Sequence, residues 1–202
     1  MMMAKRAVQR ERRIFYIALL LVPIMVAPAH AGHEFGPLGP YNVSFDMNTT
    51  EDYTVVVEAP TQGRTSEGIN FTRHNLTVDG SDHFIFLVLT KYDEPMLANV
   101  TANAYVVWDA LMNAGASKPV IYQPLIDGKP GVLGRFRFER QDLGGGRYEE
   151  GDLIVAASYS PDGREDEDGI YRGSIDCRII STFPWDVIRD MLNTLHVQVP
   201  ER

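Results

Sequence analysis

Between His83 and Tyr92 lie six consecutive apolar residues, Phe84-Ile85-Phe86-Leu87-Val88-Leu89, and this run limits what the chain can fold into. A strand sends alternate side chains to opposite faces, so a run apolar at every position buries both of them. It belongs in the middle of a sheet that is covered on both sides. Its neighbours in sequence read as strands with one apolar face. Tyr41 to Met47 places Val43, Phe45 and Met47 together. Tyr53 to Ala59 comes after the polar turn Asn48 to Asp52, and the two strands are expected to pair as a hairpin. A third strand is expected over Ile69 to Val78, ending in the turn Asp79-Gly80-Ser81-Asp82.

Ala102 to Ala114 has helical spacing: Ala104, Trp108, Leu111 and Gly115 recur on one stripe, widened by Val107 and Ala114. Thr101 is the expected N-cap and Gly115 the expected stop. Further strands are expected over Gly131 to Glu139, Leu153 to Ser160 and Ser174 to Thr182, with a short one over Val120 to Gln123. Their connections, Gln141–Asp152 and Pro161–Gly173, are rich in Gly, Asp and Glu. A last helix starts near Pro184, whose fixed φ suits a first turn. Its apolar face holds Trp185, Ile188, Met191, Leu192 and Leu195. Strands, helix, strands, helix make an α+β domain, a largely antiparallel sheet of about six to eight strands with helices packed on it.

The first 31 residues read as a secretory leader. Lys5, Arg6, Arg10, Arg12 and Arg13 form a basic start, and Ile14 to Val26 an uncharged apolar stretch. Ala29-His30-Ala31 then supplies the small residues that a signal peptidase needs. The rival reading is an uncleaved membrane anchor. Its apolar run falls short of the roughly 20 residues a bilayer requires and is broken by Pro23. Residues 32–40, rich in Gly and Pro, read as a tether, and 41–202 as a single domain.

The leader carries a net +4 of the chain's −8, so residues 32–202 carry −12. Such a surface repels nucleic acid and anionic lipid head groups. No nucleic-acid partner is expected, and membrane contact is expected only if the leader is retained. Cys177 is the single cysteine, so no intrachain disulfide can form. It alternates with Ile175 and Ile179 and reads as a small buried hydrophobe.

Asn-X-Ser/Thr occurs five times, at Asn42, Asn48, Asn70, Asn75 and Asn99, where chance placement would give about one. A glycan is useful only on an outward surface, and in strand geometry Asn42 and Ser44 share the face opposite Val43 and Phe45. The plainer account is that Asn and Thr are common at strand ends and turns.

Three features together resemble the PsbP-like fold, shared by thylakoid-lumen PsbP proteins and a Ran-binding relative. They are the opening hairpin of the type Tyr41-Asn42-Val43-Ser44-Phe45-Asp46, the long central strand feeding a helix, and the closing segment Pro184-Trp185-Asp186-Val187-Ile188-Arg189-Asp190-Met191-Leu192-Asn193-Thr194-Leu195-His196-Val197. The chain is also similar to small secreted proteins of methanogenic archaea. The likeness is one of pattern and order over residues 41–199. It implies a non-enzymatic accessory or binding domain and carries over no functional residue.

Candidate chemistry is sparse. In the loop Asp162-Gly163-Arg164-Glu165-Asp166-Glu167-Asp168-Gly169, the carboxylates of Asp162, Asp166 and Asp168 partly echo a calcium loop, and calcium is the one cofactor it admits. Arg164 stands where another oxygen ligand belongs, and no Glu closes the loop, so a solvated hairpin is the plainer reading. Gly144-Gly145-Gly146 lacks the Lys-Ser/Thr of a phosphate loop and precedes Glu149 and Glu150. Arg135 and Arg137 alternate with Phe136 and Phe138, which puts two guanidinium groups on one strand face. They either hold an anion such as a carboxylate or pair with Asp152, Asp176 or Glu139. Gly134 before them would let another segment approach closely. None of His33, His74, His83 and His196 has zinc spacing, and there is no Gly-X-Ser-X-Gly elbow.

These features admit three readings. The first is an exported, non-catalytic module that works at the cell surface or in the extracytoplasmic space, binding a protein or a cell-envelope component. The second is an exported hydrolase whose Asp and Glu side chains converge from loops, one of them with a raised pKa. The third is a small anionic-ligand carrier centred on Arg135 and Arg137.

Overall fold

The computed structural model describes residues 28–29, 32–138, 141–142, 148–149 and 153–200. In chain order the first strands are β1 (Pro28–Ala29), β2 (Gly32–Leu38), β3 (Tyr41–Met47), β4 (Tyr53–Val57), β5 (Thr61–Arg64), β6 (Asn70–Gly80) and β7 (Phe84–Leu97). Helix α1 (Val100–Asn113) precedes β8 (Val120–Tyr122), β9 (Leu125–Ile126), β10 (Lys129–Arg137), β11 (Gln141–Asp142) and β12 (Tyr148–Glu149). Then come β13 (Leu153–Tyr159), β14 (Arg164–Glu165), β15 (Tyr171–Ser181), helix α2 (Trp185–Thr194) and β16 (His196–Gln198).

Among the described residues the main sheet has eleven strands, in the order β1-β4-β6-β7-β15-β13-β10-β8, with β5, β14 and β9 attached to β6, β15 and β10. Its pairings are antiparallel. The α+β class therefore agrees with the sequence pattern. The strand number exceeds the expected six to eight because short polar segments pair along the long strands without an apolar face of their own. Thr61–Arg64 does so on β6, and Arg164–Glu165 on β15.

β4, β6 and β7 run side by side, α1 carries the chain to the far edge at β8, and β10, β13 and β15 return until β15 lies against β7. The apolar run thus occupies a central strand. On its inner face Ile85, Leu87 and Leu89 share one core with Val43, Phe45 and Met47 of β3 and with Val187, Ile188 and Met191 of α2. The outer face is covered less completely. Val88 is buried, but Phe84 and Phe86 are only half-buried, because α1 lies over β10 and β13 instead. There Val107 and Leu111 pack with Val132 and Ala156.

Four expectations give way. β3 and β4 do not form a hairpin: β3 is the middle strand of a second sheet, ordered β16-β3-β2, while β4 pairs with β6. The polar residues 48–52 carry the chain from one layer to the other, a task their composition does not distinguish from a hairpin turn. Residues 32–38, read as a tether, are β2, paired along the whole of β3 from Gly32 opposite Met47 to Leu38 opposite Tyr41. Gly and Pro concealed a strand whose backbone pairs with β3 throughout and whose last residue, Leu38, is fully buried.

In α1 the N-cap is Asn99, whose Oδ1 accepts the Ala102 N–H at 2.9 Å, and not Thr101. Its inward stripe is Asn103, Val107 and Leu111, which leaves Trp108 45% exposed. Asn103 can face the core because its amide donates to Ala98 O and its Oδ1 accepts from Ser158 Oγ, so no polar atom is stranded. Gly115, at φ +95°, ends the helix as expected.

Candidate functional site at Arg135

β10 alternates between two layers. Val132 and Phe136 join the α1 side, and Leu133 joins the inner core. Gly134 is what lets α1 close onto the strand: a Cβ there would lie 2.6 Å from both Leu111 and Val107 and 2.8 Å from Ile121. Arg135 stands opposite Val120 of β8 and Val155 of β13, at half-burial. Its guanidinium carbon lies 5.3 Å from the centre of the Tyr122 ring and 4.9 Å from that of Trp185, both within cation–π range. Among the described residues no carboxylate pairs with it.

Arg135 forms part of a groove of about 370 Å³ between the β8–β10 region and α2. Leu125, Ile126, Leu133 and Leu192 supply its apolar surface, and Leu125 at the lip is 73% exposed. Arg189 adds a second guanidinium, engaged with its neighbour Asp190 at 3.1 and 3.2 Å. Arg137, two residues on, is exposed and does not line the groove, so of the two arginines only Arg135 belongs to it. Asp176, one of the partners considered for them, instead forms an ion pair with Arg178 and accepts from Ser158 Oγ. Asp152 and Glu139 lie outside the described residues.

One groove wall is a hairpin that sequence reading missed. Asp127 and Gly128 connect β9 to β10 with φ of +53° and +69°, the paired positive values of a type I′ turn. The Asp127 carboxylate reaches across to β16, 2.7 Å from His196 Nδ1 and accepting the Val197 N–H at 3.0 Å. The Asp-Gly pair was the available signal. Trp185, expected only as part of an apolar helix face, is the second aromatic neighbour of Arg135, and no local pattern brings them together.

The acidic loop is occupied with its own architecture. Asp162 accepts the N–H groups of Ser174 and Ile175 at 2.9–3.1 Å and the hydroxyls of Ser174 and Ser160. Asp166 accepts the N–H groups of Ile170 and Asp168 and bonds Arg172 Nε at 2.9 Å. The Ile170 N–H does most to hold the Asp166 carboxyl below its ordinary range; burial opposes it, and Arg172 and the Asp168 N–H reinforce it. Asp168 is exposed. Asp162 and Asp166 thus spend their oxygens on their own loop, and among the described residues no three His, Cys, Asp or Glu side chains form a metal-holding group.

Of the five sequon asparagines, Asn75 is buried and its amide donates to Glu58 Oε2 at 2.9 Å. Asn48 and Asn70 are exposed, Asn42 is half-buried on the outward face with Ser44, and Asn99 caps α1. Cys177 is fully buried, and burial above all pushes its thiol well up, away from reactive thiolate. His33, His83 and His196 lie 2.7 Å from Asp46, Glu51 and Asp127, while His74 is buried against Tyr41. Gly144-Gly145-Gly146 and the leader, apart from Pro28 and Ala29, lie outside the described residues. No helix among the described residues is long and apolar enough to cross a membrane.

Comparison with known protein families, curated proteins and solved structures finds no match.

Proposed function

We propose that the chain is an extracytoplasmic, non-catalytic binding module that takes a small amphipathic anion in the Arg135 groove. The observation that carries this reading is the Arg135 guanidinium itself. It is half-buried over two aromatic rings, without a carboxylate partner among the described residues, beside an apolar surface. A guanidinium whose flat faces meet rings still offers its N–H edge, the geometry that a carboxylate accepts in bidentate fashion. Leu125, Leu133 and Leu192 suit an apolar tail. The leader pattern and the exposed sequon residues Asn48 and Asn70 support export. Among the described residues, the carboxyl groups that shift, Glu51 and Asp166, move downward, as anchors of turns do, and not upward as a general acid would.

Titration calorimetry with decanoate and decanol tests the reading. Decanoate is expected to bind more tightly than decanol, with Arg135→Gln weakening decanoate about tenfold and leaving decanol unchanged. Equal affinities would remove the anion from the proposal. Absence of binding by either would remove the groove.

A further inference from the structure

A second cavity, of about 550 Å³, opens at a different place, between the β2–β3 turn, β7 and the β14–β15 hairpin. Arg164 and Arg172 line it and are directly opposed across the β14–β15 pair. Like charges in opposed cross-strand positions repel at Cβ separations of about 5 Å. Arg172 is tied to Asp166 through Nε, which leaves its two Nη groups outside that bond. Arg164 is exposed and has no carboxylate partner among the described residues. Lys91 adds a third cation to the lining.

A second observation points the same way. Tyr41 is only 3% exposed, lines the cavity, and its hydroxyl finds no hydrogen-bond partner among the described residues. The ring is buried but the hydroxyl oxygen is not, so it is open to a group bound in the cavity. The two carboxylates in the lining do not supply it, because Asp162 and Asp166 already face N–H and hydroxyl groups of their own loop.

We propose that this cavity is a binding site for a compact oxyanion, phosphate or sulfate, free or carried on a larger polar molecule. Arg164 and Arg172 clamp the anion and the Tyr41 hydroxyl donates to it. The anion removes the repulsion between the two arginines, so the unliganded hairpin is the strained state. The site is independent of the Arg135 groove and takes a hydrophilic ligand where that groove takes an amphipathic one.

Melting temperature and calorimetry on the full chain test it, with inorganic phosphate as the probe and chloride at matched ionic strength as the reference. Phosphate is expected to raise the wild-type Tm by several degrees more than it raises that of Arg164→Gln, whose own Tm in chloride is unchanged or higher. Phosphate affinity is expected to fall about tenfold in Arg164→Gln and a few-fold in Tyr41→Phe, and to be unaffected in Arg135→Gln. An equal phosphate response in wild type and Arg164→Gln overturns the site, since general salting effects act on both alike. A lower Tm of Arg164→Gln in chloride also overturns it, because Arg164 would then be a structural partner.

Discussion

The inner face of the main sheet is closed by a second sheet and a helix, whereas the outer face carries one helix over β10 and β13. Phe45 of β3, Ile188 of α2 and Leu87 of β7 meet in one continuous core, each at most 1% exposed. On the outer side the corresponding cluster holds only Val107, Leu111, Ala116, Val132 and Ala156 as fully buried members, and Tyr105 and Trp108 of α1 face solvent. The difference teaches where this protein keeps its stability and where it keeps its openings. Burial scales with the area removed from water, so the inner layer dominates the fold. The Arg135 groove lies between the β8–β10 edge and α2, and the second cavity lies against the central strands β7 and β15 beside the β2–β3 turn.

Phe45→Ala is the strongest way to break this contrast. Removing a fully buried ring from the inner layer is expected to lower unfolding free energy by about 3–5 kcal/mol in urea titration. A loss below about 1 kcal/mol would mean that the two layers contribute alike. Gly134→Ala probes the outer layer by overfilling it, since the new Cβ meets three side chains of α1 and β8 at 2.6–2.8 Å. A loss of about 1–3 kcal/mol is expected, with α1 moving away from β10. An unchanged stability would show that α1 is loosely seated.

Glu51→Gln is the smallest and the most specific. Glu51 lies in the crossing between the two sheets and accepts the Asp82 N–H at 2.7 Å, the His83 N–H and the Ser81 hydroxyl, with His83 Nδ1 at 2.7 Å. Burial by itself would raise its pKa, but the Asp82 N–H, the His83 ring and the Ser81 hydroxyl outweigh it and lower the value to about 2, from an ordinary 4.5. A depressed carboxyl pKa stabilises the fold fully above the ordinary value, and that stabilisation is lost as pH falls toward the folded one. Wild type should therefore exceed Glu51→Gln by about 1–2 kcal/mol near neutral pH, with the gap closing between pH 4.5 and 2. A gap that is constant over this window would assign the effect to packing and not to charge.

Much of the inner layer was legible because its signal is local. The alternation of Tyr41 to Met47 reappears as buried and half-buried residues in strict succession, and the run Phe84–Leu89 does occupy a central strand. The Pro184 start of α2 and the Gly115 stop of α1 were legible for the same reason, since each depends on the φ that one residue favours. The sites were not legible. Arg135 was visible as a strand arginine with a partner in Arg137, yet its neighbours in space are Tyr122 and Trp185. The opposed pair Arg164 and Arg172 was hidden in a loop read for its acids, because the register of β14 on β15 is what sets them face to face.

By itself the sequence determined the α+β class, the strands with an apolar side, both helices, the acidic balance and the expectation of export, all of which rest on periodicity and composition within short windows. The tertiary structure alone decided that β3 leaves the main sheet, that residues 32–38 are its partner, and that Arg135 lines one cavity while Arg164 and Arg172 line another. Which strand pairs with which, and which charge meets which ring, depends on contacts between segments far apart in the chain, and these are settled by the joint burial of many side chains that no local pattern records.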